Sequence, residues 1–193
     1  MARPQEFVRE DVIDKAIEVF WRKGFEATSV QDLVKATKLN RGSLYNAFGN
    51  KSGLFDAALE RYAQNSPAKR LIRSGEDETP RQAIEAIFNA VIERATTKNI
   101  GYGCFITNTA TELAGRDESI ATRVRAGLKE LEDAFCRLIE KGQHDGDIVP
   151  WRPPRTLARF LVAALQGLIV LGKVSPDRET LRDIADTALS HLD

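Results

Sequence analysis

Cysteine and histidine, the residues that most often hold metals, are scarce in this sequence. It has two cysteines, Cys104 and Cys136, and two histidines, His144 and His191, in 193 residues. Two cysteines are too few for the disulfide framework of a small secreted protein. The histidines lie too far apart in sequence for a zinc-binding spacing. We therefore expect no disulfide scaffold, no metal and no other cofactor.

Segments for secretion or for membrane insertion are also lacking. Residues 1–6 contain no apolar stretch of the kind that forms a signal peptide. The longest apolar run, residues 160–172, is interrupted by Gln166 and is shorter than the roughly 20 residues that span a bilayer. These features predict a cytoplasmic protein without membrane contact.

Net charge is absent as well. The 28 Lys and Arg residues balance the 28 Asp and Glu residues, so only a local excess of one sign can indicate a charged partner. The composition is otherwise that of an ordinary globular protein, with 42% hydrophobic and 29% charged residues. No nucleophile–base pair, carboxylate pair or phosphate-binding loop forms a known motif, and we therefore predict no catalytic residue.

Helical periodicity runs through most of the chain, and no convincing alternating strand pattern occurs. Gly24 is expected to end the first helix, whereas Ser29, Asn40 and Thr79 are expected to cap the N-termini of later helices. The predicted fold class is all-α. The predicted helices cover residues 10–23, 30–37, 41–48, 51–64, 80 onwards, 104–114, 118–141, 155–173 and 177–192.

The clearest boundary along the chain lies in residues 65–79, which contain Pro67, Gly75 and an acidic run. We therefore divide the chain into a small N-terminal helical domain, residues 1–62, and a larger C-terminal helical bundle, residues 63–193. A chain of this length accommodates one or two domains and a sizeable core.

Two short helices joined by a tight turn, with a longer helix before them, form the pattern of a helix-turn-helix. Residues 33–55 carry a charge of +4 and no acidic residue, from Lys35, Lys38, Arg41 and Lys51. Residues 1–62 have ten cations and nine anions, so the basic surface is local. Phosphate neutralisation requires such a surface. A solvated basic face on a small helical core is the alternative interpretation of the same charges.

A longer motif in the same region carries a family resemblance. Its elements are Ile13-x-x-Ala16, Phe20-x-x-x-Gly24-Phe25-x-x-Thr28-Ser29-Val30, Leu33-Val34 and Gly42-Ser43-Leu44-Tyr45-x-x-Phe48-x-x-Lys51-x-x-Leu54. With these motifs, residues 7–62 resemble the N-terminal domain of TetR-family transcriptional repressors, and the Leu-Tyr-x-x-Phe-x-x-Lys core is highly specific for that family. Asn46-Ala47 stands where many relatives carry a histidine before the phenylalanine.

The resemblance implies a three-helix, homeodomain-like DNA-binding domain in which the helix of residues 41–48 enters the major groove. Arg41, Ser43 and Asn46 would face the base edges, whereas Tyr45 and Lys51 would hold phosphates. Leu44 and Phe48 of that helix are expected in the core. The DNA contacts carried over from the resemblance are Ser29, Gln31, Arg41, Gly42, Ser43, Tyr45, Asn46 and Lys51.

The helix predicted over residues 155–173 is apolar nearly all round and must be covered on several sides. It could form the centre of a monomer core, or it could pair with its two-fold mate in a subunit interface. The family resemblance favours the interface, formed together with residues 177–192. We therefore expect a homodimer through residues 155–192.

Polar residues recur at every fourth position after Gly103, at Cys104, Asn108 and Glu112, with Thr111 beside them. This stripe is either a plain solvated face or one wall of a ligand pocket. In a pocket, adjacent helices would supply the apolar neighbours. The predicted ligand-binding residues are Phe88, Val91, Cys104, Asn108, Thr111, Glu112 and Phe135.

Cys104 is expected in the first turn of its helix, where the helix N-terminus favours the reactive thiolate. Some TetR-type repressors that this chain resembles carry a Gly-Cys pair here and sense electrophiles or oxidants through it. The alternatives are a small buried residue and an unreactive pocket wall. Cys136, in mid-helix, is expected to be structural.

Together these features indicate a dimeric transcriptional repressor that binds a palindromic double-stranded operator and is released by a small-molecule inducer. A DNA-binding protein without ligand control is one alternative, and release of the operator by any compound would contradict it. A helical enzyme with an incidental helix-turn-helix is another alternative, which turnover assays test.

Overall fold

The computed structural model of the chain describes residues 7–65, 78–98 and 101–193. Every regular element in these ranges is helical, so the all-α prediction is confirmed. The helices are α1 (Arg9–Lys23), α2 (Val30–Thr37), α3 (Arg41–Phe48), α4 (Lys51–Gln64), α5 (Pro80–Glu93), α6 (Phe105–Leu113), α7 (Glu118–Asp145), α8 (Pro154–Val174) and α9 (Arg178–Leu189). A π-helical segment (Arg94–Lys98) follows α5, and a short 3-10 turn (Ser190–Leu192) follows α9.

Side-chain caps begin the helices where the sequence predicted them. The Ser29 hydroxyl accepts a hydrogen bond from the Asp32 N–H, and the Asp32 carboxylate accepts one from the Ser29 N–H. Thr79 begins α5 with the same reciprocal pair, and Asn40 accepts from the third residue of α3. These bonds satisfy backbone donors that have no partner inside the helix.

Three helix ends in the N-terminal domain use backbone with positive φ, at Gly24, Lys38 and Gly49. Gly24 ends α1 with φ +79°, as predicted. Lys38 ends α2 with φ +62° and is the one non-glycine residue in the left-handed region among the residues described. Left-handed backbone costs a side chain about 1–2 kcal/mol. The closure of this turn therefore depends on packing as well as on local preference.

The buried core of the N-terminal domain extends beyond residue 62. The Phe55 ring packs edge-on against Phe20 at 4.9 Å and against Phe105 of α6 at 5.6 Å between centroids. Leu113, Ile120 and other residues of α6 and early α7 belong to the same buried cluster. The division at residue 62 stays a prediction for the chain, because residues 66–77 of the expected linker lie outside the described residues.

A second core lies between α5, α7, α8 and α9. Leu157, Leu161, Leu165 and Leu168 line the buried side of α8 and are 1% exposed or less. The opposite side of the same helix is exposed and apolar, at Phe160, Ala163, Gly167, Val170, Leu171 and Val174. The helix therefore has one face in the core of its own chain and a second apolar face that its own chain leaves open.

Helix α8 is long and apolar enough, by length and composition alone, to cross a membrane. It has 21 residues, and its most apolar 18-residue window has a mean hydropathy of 1.8. The apolar run of residues 160–172 is shorter than a bilayer span, but the helix that contains it extends beyond the run at both ends. A third of that 18-residue segment is buried within the chain (33%). Core helices of soluble proteins can have the same length and apolar composition.

Candidate nucleic-acid interface and its contact with the C-terminal domain

Helix α3 presents its polar residues on one side. Arg41, Gly42 and Asn46 are exposed, and Ser43 and Tyr45 are half-buried. Leu44 and Phe48 are 3% and 8% exposed and pack in the core, which confirms their predicted place. The guanidinium carbon of Arg41 lies 5.1 Å from the centre of the Tyr45 ring. This contact brings together two of the predicted DNA contacts, which lie one turn apart on the helix.

The basic surface beside α3 is free of neutralising carboxylates in the described part of the chain. Lys35, Lys38 and Arg41 are exposed, and none of them forms an ion pair there. Ser29 and Gln31 are also exposed, at the start of α2. These side chains face solvent together with the polar side of α3, and the surface can approach a phosphate backbone.

One carboxylate does lie next to this surface, at the N-terminus of α2. Hydrogen bonds from the Lys23 ammonium and from Ser29 hold the pKa of Asp32 far below its ordinary value. The Lys23 Nζ lies 2.6 Å from the carboxylate. Asp32 therefore stays ionised, and its charge is compensated within the domain.

Lys51 lies further inside the domain than a freely exposed phosphate contact would. Its Nζ donates to the carbonyls of Phe25 at 2.9 Å and Thr28 at 3.0 Å, and it lies 4.3 Å from the Phe25 ring centre. Two of its three N–H donors are thus used to tie α4 to the loop between α1 and α2. One donor remains for a phosphate, so the predicted contact stays a prediction.

The same loop is held from the opposite side by α6. The Glu112 carboxylate accepts hydrogen bonds from the Phe25 N–H at 3.0 Å and the Glu26 N–H at 2.9 Å. A Cβ on Gly24 would lie 2.6 Å from a Glu112 oxygen, closer than real contacts allow. Glycine at position 24 therefore provides both the positive φ and the space for Glu112.

Asn108 and Thr111 of the predicted polar stripe lie beside the same contact between α1 and α6. The Asn108 side chain donates to the Tyr102 carbonyl at 2.8 Å and accepts from Lys173 of α8 at 3.0 Å. Trp21 of α1 donates to the same carbonyl at 3.0 Å. Asn108, Thr111 and Glu112 line an open cleft of about 280 Å³ between α1 and α6. The stripe is therefore not a plain solvated face, and its role as a wall of a ligand pocket stays a prediction.

The apolar residues predicted to complete this pocket lie elsewhere. Phe88 and Phe135 are fully buried in the C-terminal core, with ring centroids 6.4 Å apart, and Val91 packs against that core. None of the three lines the cleft beside Glu112. The structure therefore separates the seven residues into Asn108, Thr111 and Glu112 at the cleft, Cys104 beside Tyr62, and the three apolar residues in the C-terminal core. Helical spacing identifies a shared face without identifying the neighbour that it meets.

Cys104 is the N-cap of α6 and precedes the first helical turn in which it was expected. It is half-buried, and the Tyr62 hydroxyl lies 3.8 Å from its sulfur. Burial is the main cause that raises the pKa of Tyr62 to about 12. Cys136 is buried in α7, where burial raises the pKa of its thiol.

Arg94, which sequence reasoning missed, joins the two domains beside Cys104. Its guanidinium donates to the Tyr62 hydroxyl and to the Gly103 carbonyl, and it lies 4.7 Å from the Trp21 ring centre. The residue lies in the π-helical segment, which no local sequence pattern predicted. The one signal in the sequence is an arginine directly after the amphipathic run of α5.

Among the described residues, no group of three His, Cys, Asp or Glu side chains could hold a metal ion.

Two family models match the chain. "Bacterial regulatory proteins, tetR family" matches residues 12–58, and "Tetracyclin repressor-like, C-terminal domain" matches residues 80–188. The second match alone covers more than half of the sequence.

Individual relatives match over nearly the full length. The HTH-type transcriptional repressor ComR of Escherichia coli is 34% identical over 188 residues, which cover 97% of this chain and 90% of ComR. A cysteine mutant of the TetR-family regulator CifR, solved with 26-bp double-strand operator DNA, is 27% identical with a TM-score of 0.85 over 100% of both chains. The reduced form of E. coli NemR shares the fold, with 20% identity and a TM-score of 0.85 over 96% of each chain.

Proposed function

The chain belongs to the TetR family of transcriptional regulators, and from this premise we propose that it is a repressor that binds a palindromic operator as a homodimer. A small-molecule inducer would release it from the operator. The observation that carries the proposal is the exposed, uncompensated basic surface of Lys35, Lys38 and Arg41 beside the polar side of α3. The family is one of DNA-binding regulators and not of enzymes.

In the proposed complex, α3 lies in the major groove. Arg41 and Asn46 are exposed on the side that faces away from the core, and both side-chain types form paired hydrogen bonds with base edges. Ser43 and Gly42 would let the helix approach closely. Ser29, Gln31 and Tyr45 would contact the phosphate backbone, and the remaining Lys51 donor would do so from the edge.

The open face of α8 supports a homodimer. Its apolar residues, from Phe160 to Val174, lie opposite the face that is buried in the chain's own core. Ala163 and Gly167 in this face would let the helix approach its two-fold mate closely. A two-fold dimer reads two half-sites about one DNA turn apart (~34–36 Å). The exposed side of α9 is polar and would form the edge of this interface.

The inducer would act where the two domains meet. Cys104 lies at that junction, within 3.8 Å of the Tyr62 hydroxyl. Addition of an electrophile to its thiolate would place a new group between α6 and α4. A non-covalent inducer in the cleft beside Asn108 and Thr111 is the alternative. Either ligand releases DNA only if it binds the two arrangements of the domains unequally.

A DNA-binding regulator works in the compartment that holds the DNA, which supports a cytoplasmic location. Helix α8 then has its apolar surface covered by its own core and by the second subunit. This arrangement needs no lipid contact. A membrane-bound form would instead rise with lipid vesicles in a density gradient, which a flotation assay of the purified protein tests.

The experiment begins with genome-scale selection of bound DNA, followed by fluorescence anisotropy with the selected palindrome. We expect Arg41→Ala to cost about 1–3 kcal/mol of operator binding and to relax the preference at particular bases. Arg137→Ala is the matched control, since Arg137 is exposed on α7, away from the basic surface. Equal affinities of wild type and Arg41→Ala would contradict this docking.

A screen for compounds that release the labelled palindrome then tests the inducer. If a mild electrophile releases the wild type and leaves Cys104→Ser bound, the covalent route is supported. Equal release from both proteins would favour the cleft. A wild type that sediments as a monomer at micromolar concentration would contradict the homodimer.

A further inference from the structure

The loop between α1 and α2, residues 24–29, leads directly into the helix-turn-helix and is held from two sides. From within its own domain, Lys51 donates to two of its carbonyls. From the C-terminal part of the chain, Glu112 accepts from two of its amides. The position of the loop is therefore set jointly by the DNA-binding domain and by α6.

The contact of Glu112 is specific in its geometry. Each of its two oxygens accepts one hydrogen bond, at 3.0 Å from the Phe25 N–H and 2.9 Å from the Glu26 N–H. Hydrogen bonds to an ionised acceptor are stronger than neutral ones, and a forked pair also fixes orientation. Both amides follow the end of α1, so the bond pair resists rotation of α1 and of the loop relative to α6.

Helix α6 is itself tied to the helix that carries the open apolar face. Asn108, one turn before Glu112, accepts a hydrogen bond from Lys173 near the end of α8. A shift of α8 or α6 therefore reaches the loop through a short series of direct contacts. No other described side chain of the C-terminal part hydrogen-bonds the backbone amides of this loop.

We propose that Glu112 is the positioning residue through which α6 sets the orientation of the helix-turn-helix relative to the C-terminal part of the chain. The inference rests on the proposed function, since orientation matters for binding only when two linked reading heads must match two half-sites. Glu112 touches no DNA in this role. It acts through the amides of Phe25 and Glu26 and determines the spacing at which the two α3 helices are presented.

The junction has enough other contacts to stay folded without Glu112. Phe105 packs edge-on against Phe55 and Tyr62, and Arg94 bonds the Tyr62 hydroxyl. None of these contacts involves the carboxylate, and the Phe25 ring keeps its own packing against Phe55, at 4.8 Å between centroids. Removal of the carboxylate therefore releases the two loop amides from α6 and leaves the cores of both domains in place.

The test measures three DNA duplexes by fluorescence anisotropy: the selected palindrome, the same palindrome with one extra base pair between its half-sites, and a single half-site. We expect Glu112→Ala to lose about tenfold in affinity for the palindrome, which corresponds to about 1.4 kcal/mol. Its discrimination against the lengthened palindrome should shrink, and its affinity for the half-site should stay unchanged. Glu112→Gln keeps one acceptor oxygen and should fall between wild type and Glu112→Ala.

Glu118→Ala is the matched control, because Glu118 is an exposed carboxylate at the start of α7 that pairs only with its own helix in the described residues. It should leave all three affinities unchanged. Amide NMR spectra report the contact directly: the Phe25 and Glu26 signals should move and their hydrogens exchange faster in Glu112→Ala, but not in Glu118→Ala.

Each outcome tests either the positioning role of Glu112 or the proposed function. An equal loss for the palindrome and the half-site would mean that the reading head itself is damaged, and it would overturn the positioning role. An unchanged palindrome affinity would overturn it as well. If the wild type binds no palindrome, the proposed function fails instead, and the NMR comparison still decides whether Glu112 holds the loop.

Discussion

Helices α3 and α6 are similar in length and both carry a polar stripe, yet the two stripes have opposite surroundings. The stripe of α3, with Arg41 and Asn46, faces solvent. The stripe of α6, with Asn108 and Glu112, faces the loop after α1, residues 101–104 and Lys173. One surface is thus available to a partner, and the other is used inside the molecule.

The comparison separates two meanings of a polar helix face. Arg41, the one ionised side chain of α3, forms no ion pair within the described residues, so its charge acts outward. Glu112 at α6 has both oxygens occupied by backbone amides, so its charge acts on the fold. A substitution in the α3 stripe should therefore change binding, whereas a change around α6 should change stability or the arrangement of the domains.

The largest effect is expected beneath α6. Phe105 is 1% exposed and contacts Phe55 and Tyr62, and Phe105→Ala would leave a cavity in the core that the two domains share. We expect the free energy of unfolding to fall by about 3–5 kcal/mol, measured by urea denaturation followed by circular dichroism. Val149→Ala, at an exposed site outside the proposed dimer face, is the control. A loss below 1 kcal/mol would mean that α6 does not pack as described.

A smaller effect is expected where α6 meets the loop. Gly24 has φ +79° and ψ 174°, a conformation that strains any side chain by about 1–3 kcal/mol, and a Cβ would also meet the Glu112 carboxylate. Gly24→Ala should therefore lower the free energy of unfolding by more than the backbone strain alone.

A double-mutant cycle isolates that contact. In the Glu112→Ala background the collision is absent, so Gly24→Ala should cost less than it does in the wild type. Denaturant titration of the four proteins measures the difference. An equal cost in both backgrounds would show that Gly24 and Glu112 do not interact.

The smallest effect on stability is expected in the α3 stripe. Asn46 is exposed, and its side chain hydrogen-bonds nothing among the described residues. Asn46→Ala should change the free energy of unfolding by no more than about 0.5 kcal/mol, while operator binding measured by anisotropy should weaken. A stability loss comparable to that of Gly24→Ala would remove the distinction between the two helices.

Much of the local structure could be predicted from the sequence. The bounds of α3 agree with the prediction residue for residue, because Asn40 supplies an N-cap and Gly49 ends the helix. The predicted bounds of two later helices were less accurate. Helix α7 ends four residues later than predicted, and α8 is one residue longer at each end. Gly146, with φ +81°, ends α7 beyond the predicted end at residue 141.

The junction could not be predicted in the same way. Arg94 contacts Trp21, Tyr62 and Gly103, which lie in three separate segments, and it does so from a π-helical turn. No spacing along the chain identifies such a set, because the contacts depend on how the segments pack. The same reason explains why Phe88 and Glu112 were grouped although the structure separates them.

The sequence by itself determined which segments are helical, where most of them begin and end, and which residues share a face. Caps, glycine stops and apolar spacing act within a few residues, so this information is local. Only the tertiary structure decided what each face meets: solvent for α3, the neighbouring domain for α6, and the chain's own core on one side of α8. Such contacts join residues far apart in sequence, and their free energy depends on the packing of several helices at once.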